Sequence, residues 1–199
     1  MLKFFQLLYR HDRASDSIIT RKNLKKKAFL LFTLLGSSLI ASTISGMKTF
    51  SADFEQKIVN DQQSRIIYKG KLFAKKQNNQ ALWIYTDPID KKIYYSSGKV
   101  VIVEPELEQA IFAKLDKVPN ILTLLHKAKR VGEGRYRTTF NGIDYTIIFK
   151  EGKLSEIRYR DELQNRVTIR FYNQKRDQPI ADKKFVWKIP AEYDILEQK

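Results

Sequence analysis

Tyr136-Arg137-Thr138-Thr139-Phe140-Asn141-Gly142-Ile143-Asp144-Tyr145-Thr146-Ile147-Ile148-Phe149 sets two runs of aromatic and β-branched residues on either side of an Asn-Gly pair. Asn and Gly both accept the positive φ that a two-residue reversal between twisted strands demands, so this stretch reads as a β-hairpin. Its surroundings repeat the pattern. Glu151-Gly152-Lys153 marks another turn before residues 154–160. Arg166-Val167-Thr168-Ile169-Arg170-Phe171-Tyr172 then alternates, with Val, Ile and Phe on one side.

Upstream, Ile66-Ile67-Tyr68-Lys69-Gly70-Lys71-Leu72-Phe73-Ala74 is rich in strand formers, and its central Gly predicts a bulge or bend. Residues 80–86 carry Leu82, Trp83, Ile84 and Tyr85. Residues 92–96 and 99–104 flank Ser97-Gly98, a second hairpin signal, and 185–189 is the last strand candidate. About nine or ten strands joined mainly by hairpins predict a mainly β (α+β) single domain. Its centre is one strongly curved antiparallel sheet, or an incomplete β-barrel.

One region breaks the period. Between Pro105 and Arg130, Leu107, Ile111 and Leu115 recur at i, i+4 and i+8. After Pro119, Ile121-Leu122-Thr123-Leu124-Leu125 closes on His126, Lys127, Lys129 and Arg130. Proline at a helix start and cations at its end predict two short helices. A third is predicted at 39–48, where Ile40, Ile44 and Met47 share a face. Helices this short cover only one face of such a sheet. Pattern alone is equally compatible with a close-packed core and with an under-filled apolar interior.

The N-terminus is of another kind. Arg21-Lys22-Asn23-Leu24-Lys25-Lys26-Lys27 precedes residues 28–46, nineteen positions without a charge. Basic cluster, apolar run and small residues form the pattern of an export signal. The run thins into Gly36, Ser37, Ser38, Ser42, Thr43 and Ser45 sooner than the ~20 apolar residues of a membrane span. The domain reading is a basic leader over 1–27 (a cytoplasmic tail or start-site artefact), a signal region or uncleaved anchor over 28–46, and an exported domain over 47–199.

Composition narrows the chemistry. The 199 residues carry a net charge of +15; eight basic and two acidic residues lie in 1–46, leaving 29 against 20, or +9, for the body. Without cysteine, disulfides, thiolate metal sites and Cys nucleophiles are excluded. The two histidines, His11 and His126, make neither a metal centre nor a Ser-His-Asp set, so no metal, cofactor or catalytic residue is assigned. Glu104, Glu106 and Glu108 read as carboxylates at a helix start, where the dipole favours them. The body's cations are scattered among strand residues, which argues for an anionic headgroup or acidic partner and against nucleic acid.

Six motifs occur in a recognisable order: Phe50-Ser51-Ala52-Asp53-Phe54-Glu55-Gln56, Gly70-Lys71-Leu72-Phe73, Leu82-Trp83-Ile84-Tyr85 with Asp87-Pro88, Ser97-Gly98-Lys99, Glu104-Pro105-Glu106-Leu107-Glu108-Gln109, and Phe185-Val186-Trp187-Lys188-Ile189-Pro190, with Pro119 and Leu124-Leu125 before the last. This series resembles the periplasmic outer-membrane lipoprotein carrier (LolA) family over residues 47–193. The resemblance implies an incomplete β-barrel with a lid of two or three short helices over an apolar cavity. It implies a monomeric, non-enzymatic chaperone that takes acylated lipoproteins from an inner-membrane ABC transporter to the outer membrane, where many members meet a receptor lipoprotein.

Under that resemblance the cavity wall is assigned to Phe54, Ile67, Leu72, Trp83, Tyr85, Val101, Val103, Phe140, Ile147, Phe149, Ile169 and Phe171, and the lid to Leu107, Ile111, Leu122 and Leu125. Trp83 and Tyr85, two apart on a strand, point the same way, so Leu82 and Ile84 point outward under a terminal segment or a partner. The family's lid-closing Arg-Pro is replaced by Lys75-Lys76-Gln77-Asn78-Asn79, with Lys76 as the gating candidate; Lys lacks the planar fork of Arg. Two other readings stay open. A membrane-tethered adaptor that senses lipid or lipoprotein could use the same fold, and a lipid hydrolase ranks far behind for want of a nucleophile and base.

Overall fold

Alternation of apolar and polar side chains writes twelve strands into the residues described by the computed structural model, namely 46–96, 98–114 and 120–198. The strands are β1 Thr49–Val59, β2 Arg65–Lys75, β3 Gln80–Asp87, β4 Lys91–Ser96, β5 Lys99–Glu104, β6 Gln109–Lys114, β7 Lys129–Gly132, β8 Arg135–Phe140, β9 Ile143–Lys150, β10 Lys153–Arg160, β11 Arg166–Arg176 and β12 Asp194–Gln198. They form one sheet in the order β12-β6-β5-β4-β3-β2-β1-β11-β10-β9-β8-β7. Every pairing is antiparallel except that of β12, which runs parallel to β6.

The turns explain the hairpins. Asn141 and Gly142 have φ of 52° and 77°, and Glu151 and Gly152 of 49° and 71°, so both two-residue loops turn with the twist of their strands. At Gly70 the ladder with β3 slips between Lys69 and Gly70. A Cβ on Gly70 would lie 1.9 Å from the Ile84 carbonyl oxygen, which only glycine avoids.

One α-helix is present among the described residues, α1 at Ile121–Lys127. It touches both β2 and β8, although four strands lie between them in the sheet. The sheet must therefore bend around the helix. Its edges, β12 and β7, do not pair, so the barrel stays open. Among the described residues no helix is long and apolar enough to cross a membrane.

Several sequence expectations are corrected. The first helix expected after Pro105 is a 3-10 turn, Pro105–Leu107, followed by β6. An i, i+4 spacing also fits two strand repeats, and Glu108 at φ 48° stops any helix there. Ile111 consequently pairs with Ile102 of β5. The strand expected at 185–189 is absent; Phe185 ends the 3-10 turn Asp182–Phe185. β7 occupies the expected end of the second helix, and β12 had no expectation. The leader, the signal region up to residue 45 and Leu115 lie outside the described residues, as does most of the helix expected at 39–48; its last residues, 46–48, carry no helix.

Candidate functional site: the concave face and its helix

Register sets the concave wall. Ala52, Leu72, Trp83, Ile93, Ile102 and Ile111 lie opposite one another on six successive strands. In the neighbouring row Phe54 meets Gly70 and Tyr85. The missing side chain at Gly70 gives the Phe54 ring its space, since a Cβ would lie 3.0 Å from Phe54 Cε1. Phe54 then stands edge-on to Trp83 and Tyr85, with ring centroids 5.0 and 5.1 Å apart.

The structure brings most of the expected wall together. Phe54, Leu72, Tyr85, Ile147, Phe149, Ile169 and Phe171 are buried in one apolar cluster, with Trp83 and Phe140 half-buried against it. Three assignments are corrected. Ile67 points outward and is 37% exposed, while Ile66 and Tyr68 face in. Val101 and Val103 face the convex side, and Val100 and Ile102 the concave one. The reason is parity: where adjacent residues are all apolar, alternation cannot say which of them is inside.

Leu82 does point outward, yet it is only 3% exposed. The chain after β11 crosses the convex face there. Phe185 is buried, Lys184 sits 4.0 Å above the Phe73 ring, Trp187 packs edge-on against Phe112, and Lys75 pairs with Asp182. Burial under this cover raises the Tyr94 phenol above its ordinary pKa.

Of the expected lid, Leu122 and Leu125 lie on α1 and are buried in the cluster. Leu107 is exposed in its turn, and Ile111 is a wall residue on β6. Lys76 is an exposed residue at the start of the 3-10 turn Gln77–Asn79, and its backbone N–H donates to the Lys48 carbonyl. The ties between helix and sheet run elsewhere. Buried Asn120 caps α1 by accepting from the Leu122 N–H at 2.9 Å, and its Nδ2 donates to the Gln80 carbonyl at 3.0 Å. Thr123 Oγ1 donates to Asn79 Oδ1, and Asn79 Nδ2 to Tyr95 Oη at 3.0 Å. Sequence reading missed this latch. Its signals were Asn120 directly after Pro119 and Asn79, which takes φ 47° as Asn tolerates.

The wall also holds polar groups. Tyr85 Oη donates to Gln56 Oε1 at 2.9 Å, and complete burial pushes its phenol far above the usual range, keeping it neutral. Lys91 Nζ and Glu104 Oε1 form a buried pair at 2.9 Å, and Gln109 Nε2 donates to Glu104 Oε2. Gln56, Ile58, Tyr68, Tyr85, Ile89 and Lys91 enclose a void of about 10 Å³, close to the minimum for one water molecule. Among the described residues no His, Asp or Glu cluster could hold a metal ion. This surface favours apolar matter by burial and offers few charges to react with it.

An open, bent sheet whose inner wall is apolar and whose helix is tied across it defines a half-barrel protein with an apolar inner face. The chain belongs to the outer-membrane lipoprotein carrier protein (LolA) family. The profile described as "Outer membrane lipoprotein carrier protein LolA" matches residues 45–137. A Campylobacter jejuni "Outer-membrane lipoprotein carrier protein" is 36% identical over 171 residues, covering 86% of this chain and 99% of that one. A Helicobacter pylori protein of the same name is 38% identical over 153 residues, 76% of this chain and 82% of its own. A solved structure of an uncharacterized conserved protein from Thermus thermophilus superposes with a TM-score of 0.51 at 9% identity, over 82% of this chain and 100% of that one; it shares the fold.

Proposed function

We propose that this protein is a periplasmic carrier that shelters the acyl chains of lipoproteins against its concave wall and delivers them to the outer membrane. The observation that carries the reading is the wall itself, aromatic and branched across six strands in register and covered by a helix of seven residues held at its start by two asparagines. The names of the relatives point the same way.

Energetics define the task. Each buried methylene contributes ~0.8 kcal/mol, so one ~16-carbon chain holds to a bilayer by roughly 12 kcal/mol. No Gly-rich phosphate loop of the Walker type occurs in the sequence, so extraction falls to a partner, an inner-membrane ABC transporter by the family resemblance. An outer-membrane receptor lipoprotein would take the load. Acyl chains enter by displacing α1 and parting the wall aromatics, because Leu122 and Leu125 are buried in the same apolar cluster as the wall. Weak hydrogen bonds at the helix start suit a cover that must open and close, since each contributes only about 1 kcal/mol. The carrier acts by binding, without covalent chemistry.

Binding of a fluorescent triacylated lipopeptide tests this. Trp83→Glu puts a charge on the wall and should weaken uptake at least tenfold while circular dichroism stays that of the folded sheet. Unchanged uptake by a folded variant would remove the wall from the mechanism.

A further inference from the structure

The convex face of β1, β2, β10 and β11 carries a second feature. Arg65, Val59, Arg166 and Arg160 lie in one register row across these strands, and Lys57, Thr168 and Arg158 in the next. All of these but Arg160 border a groove of about 520 Å³ in which Lys57, Arg65, Arg158, Arg166 and Arg170 surround one carboxylate, Glu156. Glu156 is buried, accepts from Arg158 and takes the Arg170 Nε at 3.2 Å. Arg166 Nη2 donates to Gln63 Oε1 at 2.7 Å. These bonds fix one edge of the Arg158 and Arg166 guanidiniums, whereas Arg170 also lies 3.5 Å from Glu55 Oε1 through its Nη1; the Arg158 and Arg170 side chains remain 57% and 49% exposed. Oriented arginines with spare donors match carboxylates in bidentate geometry.

We propose that this basic groove is a docking site for an acidic, Asp/Glu-bearing protein segment of a partner in cargo transfer. Its role in transfer rests on the carrier reading; its chemistry does not. Shape and placement favour protein over membrane. A planar headgroup layer does not fill a groove, whereas a projecting segment does. The groove also lies on the face opposite the apolar wall, so a membrane bound here would sit behind the carrier. A partner gripping from behind leaves the concave side free for the cargo.

The test uses the whole protein and a fluorescein-labelled hexaglutamate peptide, read by anisotropy. Binding should weaken as NaCl rises and fall at least tenfold in Arg65→Ala/Arg166→Ala, which spares the Glu156 pairs. Sedimentation with phosphatidylglycerol vesicles should be the same for both proteins. Equal peptide affinity in the two proteins overturns the proposal, and so does loss of vesicle binding without loss of peptide binding. Lipopeptide uptake, measured on the same samples, should be unaltered by the substitutions. Failure of the wild type to take lipopeptide would sink the carrier reading while leaving the groove result intact.

Discussion

The two halves of the sheet share an inner face but differ on the outer one. From β3 to β6 the outward positions are Leu82, Tyr94, Val101 and Phe112, shielded by the chain around Phe185 and Trp187. From β1 through β10 the outward positions are Lys57, Thr168 and Arg158, open to water. The difference teaches how to read apolar density. The covered half includes the run Val100-Val101-Ile102-Val103, apolar at every position, because both of its faces are dry. The bare half keeps the alternation of β11, with Val167, Ile169 and Phe171 inside.

Substitutions of outward-pointing aliphatic residues break the comparison most directly. Leu82→Ala, beneath the C-terminal cover, should cost about 2–5 kcal/mol in urea unfolding. Ile67→Ala, on the uncovered side, should stay within ~0.5 kcal/mol. Equal losses would mean that the chain after β11 is not a true second layer. A smaller effect sharpens the contrast between covers. Asn120→Ala removes the cap of α1 and its bond to the Gln80 carbonyl, and should cost about 1–2 kcal/mol. Amide exchange should then accelerate in α1 and not in the region around Phe185. Uniform acceleration would show that the two covers are one unit.

The same contrast explains what was legible in the sequence. Hairpins with Asn-Gly or Glu-Gly loops could be read at once, because a two-residue turn with positive φ leaves few alternatives. The inward side of β11, with Val167, Ile169 and Phe171, followed from clean alternation. Val101, Val103 and Ile67 were misplaced because each has an apolar neighbour, and only the ladder with other strands fixes their parity. β6 was mistaken for a helix since Leu107 and Ile111 fit both periods. β12 escaped altogether: its outward and inward residues, Ile195 and Leu196, are both exposed, and its parallel pairing with β6 depends on a chain that first crosses the convex face. The latch was invisible for a similar reason. Asn79 and Asn120 are far apart in sequence, and nothing local says that both serve the same helix.

Asp53 gives the finest probe, since it lies on the outward side of β1 beside the boundary of the two halves. Its Oδ2 accepts from Asn173 Nδ2 at 2.7 Å and its Oδ1 from Lys71 Nζ at 2.7 Å. The hydrogen bond from Asn173, then that from Lys71, lowers its pKa from the ordinary 3.8. A carboxyl with a folded-state pKa below its unfolded one binds protons more readily when unfolded. Its contribution is therefore complete above the unfolded value and is lost as the pH falls through the folded one. The side chain is 35% exposed, so solvent screening keeps this the smallest of the effects. Asp53→Asn should leave the urea midpoint nearly unchanged at neutral pH and flatten its decline below about pH 4. An acid limb as steep in the variant as in the wild type would show that β2 and β11 are held to β1 by their ladders alone, with no help from the charges on the bare face.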